Sequence, residues 1–180
     1  MTAAATLLAT DAPEQVSVAD IAKRAGLTSA AIYYHFRSRD DLVDEIVSVF
    51  AEEWSEVVNR SFAEIQDLDG LTSFIETNFD WIESHEDRAM VYFVSSIGTT
   101  LDSENVRRET RYTLTRAASG AVQRLGSETS TVDGTVRALG LVTLLEVGAA
   151  DILRPVSSYT DLGKVKFREA MATIAQKLLT

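Results

Sequence analysis

The chain of 180 residues has no cysteine, only two prolines and only two histidines. Without cysteine there is no disulfide framework, no thiolate zinc site and no cysteine nucleophile, which fits a cytoplasmic setting. With proline confined to positions 13 and 155, helices can run long without interruption. No convincing strand-like alternation, internal repeat or low-complexity stretch is present. No apolar run approaches the roughly 20 residues of a membrane span, and Met1–Thr10 lacks the basic flank of a signal peptide. Phosphate loops, nucleotide fingerprints and triad signatures are absent, so an enzyme is not expected. Positive charge is scarce as well: 17 Lys and Arg stand against 27 Asp and Glu, a net charge of −10.

What is there is concentrated in Ser17–Leu42, SVADIAKRAGLTSAAIYYHFRSRDDL. Ser17 is an N-cap residue, and Asp20 three positions later completes a short capping box. Val18, Ile21, Ala22 and Ala25 recur at helical spacing and form one apolar face. Gly26 can take the left-handed conformation that stops a helix, and Leu27 is expected as the apolar plug of the turn. Thr28 caps a second short helix over Ser29–Tyr34, which Ile32 and Phe36 pack inward. Ser38, with Asp41, caps a third. This is a helix-turn-helix, a shape that places its second helix in the major groove of DNA.

These residues resemble the TetR family of transcriptional regulators. The likeness is carried by Val18–Ala22, by Ala25-Gly26, by Ile32-Tyr33-Tyr34-His35-Phe36, and by Arg39 and Leu42 at matching offsets. It is specific over those 26 residues and elsewhere extends only as an all-helical pattern. The resemblance implies that Ser17, Thr28, Ser29, Ala30, Tyr33, Tyr34, His35 and Arg39 occupy DNA-contacting positions. Thr28, Ser29 and Ala30 have the size to approach base edges. The hydroxyls of Tyr33 and Tyr34, the His35 imidazole and the Arg39 guanidinium suit phosphates. One departure concerns the first helix, which in the family starts earlier and often brings basic residues. Met1–Thr10 carries no Lys or Arg, so either the native chain begins upstream or the first helix is short and without a basic arm.

The distribution of charge reconciles an acidic chain with a DNA-binding reading. Residues 1–39 hold Lys23, Arg24, Arg37 and Arg39 against Asp11, Glu14 and Asp20, a net +1, which leaves −11 for the rest. So few cations bind DNA weakly alone, and dimerisation doubles the phosphate contacts. The expected fold is all-α: an N-terminal three-helix helix-turn-helix head over 1–44, joined by a long helix to a helical ligand-binding and dimerisation body over 45–180. Leu42, Ile46, Val49, Phe50, Trp54, Val57, Val58, Phe62 and Ile65 predict one amphipathic helix from about Arg39 to Gln66, the natural lever between body and head. Helices are further expected over Leu71–Ser84, Asp87–Thr99, Ser103–Leu125, Val132–Leu153 and Tyr159–Leu179, with a loop at Gly126–Thr131. The helix over Val132–Leu153 is apolar nearly all round and is expected to be buried on several sides.

By resemblance, the last two helices form a dimer interface, here Val136, Gly140 and Leu144 with the narrow seam Phe167, Met171, Ile174 and Leu178. A two-fold protein suits a palindromic operator. Family members commonly bind a small-molecule effector in the body, for which Phe74, Asn78, Trp81, Tyr92, Phe93, Ser96, Tyr112, Arg116 and Glu146 supply aromatic surface and a few polar groups. The function implied is a repressor that binds double-stranded DNA as a homodimer and is released by an effector of unknown identity, with no other cofactor, no metal and no membrane. Two other readings exist. Glu83, His85, Glu86 and Asp87 form the one dense cluster of chemical groups, but their place at a helix junction explains them as helix-end residues. The second is a dimeric helical small-molecule sensor or adaptor that has lost DNA binding, which the missing basic arm favours.

Overall fold

Every regular element among the described residues is helical. The computed structural model describes residues 1–10, 12–125 and 131–179; the loop expected at Gly126–Thr131 lies outside them except for Thr131, which opens a helix. Packing divides the chain into two compact units, Met1–Glu52 with His85–Arg108, and Glu53–Ser84 with Glu109–Thr180.

The first unit begins with α1 (Thr2–Leu8), a seven-residue helix that buries Ala4, Ala5 and Leu8. A 3-10 turn at Pro13–Gln15 leads into α2 (Val18–Ala25), which is followed by α3 (Ser29–His35). Next comes α4 (Arg39–Glu64), whose 26 residues span about 39 Å. Its inward face continues the period read from the sequence and adds Val43, Val47 and Ala51 to it. The unit is completed by α6 (Glu86–Met90), by a π-helical turn at Val91–Ser95 and by the start of α7 (Leu101–Leu125). Residues 85–108 join the head for visible reasons. Thr6 donates to the Asp87 carboxylate, the Ser95 hydroxyl donates to the Leu8 carbonyl at 2.8 Å, and Phe50 packs against Tyr92 and Phe93 at 5.0 and 5.7 Å between ring centroids.

The second unit contains α5 (Gly70–Ser84), α8 (Thr131–Leu153), α9 (Ser158–Leu162) and α10 (Lys164–Leu179), with the remaining turns of α4 and α7. Phe79 of α5 stacks on Phe167 of α10 at 6.2 Å. A Cβ on Gly148 of α8 would lie 2.5 Å from both Phe79 Cζ and Met171 Cε, so only glycine permits this approach. Arg168, 2% exposed, lies over the Phe79 ring and pairs with Glu76, Asp80 and Glu83.

Four expectations are corrected. The helix expected over Asp87–Thr99 is a short α6 that widens into the π turn, because the Ser96 amide reaches back five residues to Val91 O and the Ser96 hydroxyl takes the same carbonyl. The last helix is two: Gly163, at φ 79° and ψ 153°, holds a backbone conformation that L-residues avoid and breaks it after Leu162. The all-round apolar α8 is buried on one face only, through Ala138, Leu141, Val142, Leu145 and Ala149, while Val132, Val136, Leu139 and Val147 are exposed. The seam read along α10 does not face outward as a whole, because Phe167 and Met171 are core residues of this chain, whereas Ile174 is exposed.

Candidate nucleic-acid interface

The head is assembled from local rules. Ser17 accepts the Asp20 amide at 3.2 Å, and the Asp20 carboxylate accepts the Ser17 amide at 3.0 Å. The Ser17 hydroxyl and backbone hold that carboxyl below its usual range. Gly26 ends α2 at φ 69°. Leu27 departs from its expected role: its side chain is 56% exposed. It is the Leu27 amide that plugs the turn, donating to Ala22 O at 2.9 Å, as a Schellman ending requires. Thr28 Oγ1 accepts the Ala31 amide at 3.2 Å and starts α3. Ser38 Oγ accepts the Asp41 amide at 3.0 Å, while Asp41 accepts the Arg37 amide at 2.9 Å.

On α3 only Ile32 is buried. Thr28, Ala30, Tyr33, Tyr34 and His35 are exposed and Ser29 is half-buried, so these candidates share one short, accessible element. Tyr34 is 85% and Tyr33 55% exposed. The His35 ring meets Tyr34 edge-on at 5.0 Å. The two phenol rings thus stand side by side in solvent, each with an apolar body and a hydroxyl that can donate or accept.

Two further candidates are already engaged inside the head. The Ser17 hydroxyl donates to Asp20. Arg39 donates from Nη2 to the Pro13 carbonyl and from Nη1 to Asp40 at 3.3 Å. Free cations lie elsewhere: Lys23 and Arg24 at the end of α2, and Arg37 between α3 and α4, are exposed. Arg37 was not singled out from the sequence, although a cation directly after the recognition helix is the signal that points to it.

The effector candidates fall into separate parts of the fold. In the first unit Tyr92, Phe93 and Ser96 are buried; Ser96 accepts from Arg107, whose guanidinium burial drives below its ordinary value. In the second unit Phe74 stacks on Phe62 at 4.6 Å, and fully buried Asn78 donates to Ser61 and to Phe74 O while its Oδ1 has no hydrogen-bond partner. Trp81 is half-buried. Burial raises the Glu146 carboxyl despite its 2.7 Å pairing with Arg111. Tyr112, 65% exposed, and Arg116 lie at the surface. As for the acidic junction, His85 is the N-cap of α6, Asp87 accepts from Thr6, and Glu83 accepts from Tyr159 and Lys164. Among the described residues no three His, Asp or Glu side chains are grouped to hold a metal, and no helix is long and apolar enough to cross a membrane.

Comparison with known proteins agrees with this arrangement. Residues 1–46 match the family described as bacterial regulatory proteins, tetR family. The chain is 29% identical over 93 residues to the HTH-type transcriptional repressor KstR2 of Mycobacterium tuberculosis, over 49% of this chain and 45% of the relative. It is 30% identical over 93 residues to KstR2 of Rhodococcus jostii, over 49% and 44% respectively. The match thus spans about half the length of these relatives. The fold is shared with the fatty acid degradation regulator FadR from Bacillus halodurans, at a TM-score of 0.74 and 16% identity over 99% of this chain and 91% of that one. A TetR-family regulator from Syntrophomonas wolfei gives 0.73 and 12% over the same shares. Residues 1–46 thus match the tetR family of bacterial regulatory proteins in sequence, and the whole chain shares its fold with the two regulators of known structure.

Proposed function

We propose that this regulator is a repressor that binds a palindromic DNA operator as a homodimer and is released by a small-molecule effector. The observation that carries the reading is the outward face of α3, where Thr28, Ala30, Tyr33, Tyr34 and His35 lie exposed around the single buried anchor Ile32. Groove-reading helices present such side chains, and phosphate contacts then fix their register. The repressor activity named for the KstR2 relatives supports the sign of the effect.

Dimerisation is supported by the exposed line Val132, Val136, Leu139 and Val147 on α8, with Ile174 on α10. Gly140 and Leu144 are half-buried beside it. An apolar face of that length left in water is a liability unless a second copy covers it. Two heads held one DNA turn apart, about 34 Å, would read a two-fold site. For the effector, Asn78 Oδ1, a buried acceptor with no hydrogen-bond partner, supports a ligand or water that donates to it. Release follows from linkage: an effector that prefers the arrangement poorer at binding DNA weakens operator affinity by that preference.

The test is selection of bound sequences from a random duplex pool at near-physiological salt, using the full chain and Tyr33→Ala/Tyr34→Ala. Enrichment of a palindrome that the double variant loses supports the reading. No enrichment from a folded dimer overturns DNA binding. It would leave the sensor reading.

A further inference from the structure

Asp44 lies on α4 near its start, and one of its oxygens does two jobs. Oδ1 accepts hydrogen bonds from the hydroxyls of both Thr100 and Ser103. Thr100 also caps α7, since its Oγ1 accepts the Ser103 amide at 3.1 Å. Ser103 is fully buried, so no water can take the place of Asp44 for its hydroxyl. The carboxylate therefore sits at the N-terminus of a 25-residue helix, where the helix dipole favours negative charge.

The first two turns of α7 hold more than α4. Arg107 donates from Nε to Tyr92 O at 2.9 Å and from Nη2 to Ser96 Oγ, and its guanidinium lies 5.3 Å from the Tyr92 ring. The same guanidinium pairs with Glu104 at 2.7 Å. Glu104 in turn accepts the amide of Gly98, a residue at φ 73°. The start of α7 is thus pinned on one side to α4 and on the other to the π turn, an element common at functional hinges.

We infer that Asp44 is a positioning residue of the DNA-reading head. It fixes the direction of α4, and with it the setting of α3, by locking α4 to the N-terminus of α7. This inference rests on the DNA-binding reading above. The contact lies wholly within the first unit, where the first turn of α7 holds the start of α4.

The experiment compares Asp44→Ala, Asp44→Asn, Ser103→Ala and the Asp44→Ala/Ser103→Ala pair in the full chain. Operator affinity is measured on the selected sequence, together with amide hydrogen exchange and thermal melting. Loss of two charge-assisted hydrogen bonds should weaken operator binding about tenfold in Asp44→Ala. Asp44→Asn, which keeps the acceptor, should restore most of it. The pair should be no worse than Asp44→Ala, because both remove the same contact. Exchange should quicken over residues 29–47 and 101–107 and stay unchanged over 131–153. An Asp44→Ala chain that melts earlier yet binds operator as the parent does overturns the inference, as do effects of Asp44 and Ser103 that simply add. If Asp44→Ala loses its cooperative melt, Ser103→Ala carries the same comparison. Should the parent select no DNA, that reading fails separately; quickened exchange over 29–36 in Asp44→Ala but not Asp44→Asn then supports the positioning role, and unchanged exchange overturns it.

Discussion

Arg39, the first residue of α4, donates a hydrogen bond from Nη2 to the carbonyl oxygen of Pro13, 26 positions earlier. The bond joins the turn before α2 to the first residue of α4, so the helix-turn-helix is closed at both ends by one guanidinium. Arg39→Ala should therefore lower the stability of the head by about 1–3 kcal/mol. Amide exchange across α2 and α3 is the check. A variant with unchanged exchange but weakened DNA binding would make Arg39 a phosphate contact and not a brace.

The exposed side chains around α3 separate by charge. Arg37→Ala should reduce the slope of log affinity against log salt by about 1, because one cation no longer releases a counterion. Tyr34→Ala should weaken binding at every salt concentration and leave the slope alone, since a phenol carries no charge. Titrations from about 50 to 200 mM salt resolve the two. Equal slopes in all three proteins would place Arg37 off the DNA.

Gly148 is a packing requirement. Gly148→Ala places a methyl 2.5 Å from the fully buried Phe79 ring and from Met171 Cε. Methionine can move, but the ring is held by its neighbours, and overpacking of this kind costs about 1–3 kcal/mol. That exceeds the gain of about 1 kcal/mol from replacing glycine in a helix. At Gly140 the nearest atom, Leu178 Cδ1, lies at 3.4 Å, so Gly140→Ala should be far milder. Urea unfolding of both variants tests the contrast; a Gly148→Ala chain more stable than Gly140→Ala would show that the Phe79 ring gives way to the methyl.

Glu83 gives the second unit a pH dependence. Burial alone would raise its pKa, but hydrogen bonds from Lys164 and Tyr159 and the nearby Arg168 charge outweigh burial and hold the carboxyl below its usual 4.5. The Tyr159 phenol, itself pushed up to about 12 by burial and by Glu83, keeps its proton throughout. With the folded value lowered, the contribution of Glu83 is complete above pH 4.5 and is lost as the pH falls below it. Glu83→Gln should flatten the acid side of the stability curve and leave its shape above neutrality unchanged. An acid limb as steep as that of the parent would exclude Glu83 as its source.

The caps at Ser17, Thr28 and Ser38, the stop at Gly26 and the length of α4 were legible in the sequence because each depends on neighbours a few residues away. The role of Leu27 was not, since the same turn can be closed by a side chain or by an amide. The π turn depends on Ser96 taking a carbonyl five residues back instead of four, and on Arg107 of α7 taking the next one. Gly163 looked like any glycine in a helical pattern until its positive φ was known. Phe167 and Met171 fit an outward seam and an inward one equally well; the absent side chain at Gly148 selects the inward one. The occupation of Arg39 by Pro13 depends on a partner 26 residues away that no local spacing indicates.

Glu76, Asp80 and Glu83 stand along one stripe of α5, and α10 answers them with Arg168 and Lys164. Like charges at that spacing disfavour an isolated helix by a few tenths of a kcal/mol per pair, so α5 undocked is a poorer helix than α5 in place. The stripe works as a key. A slide along α5 by one turn would leave Arg168 with two of its three carboxylates, and a longer slide would strand a guanidinium at depth at a cost of several kcal/mol. The oily faces of the two helices tolerate many alignments; this one arginine confines them to the reach of the stripe.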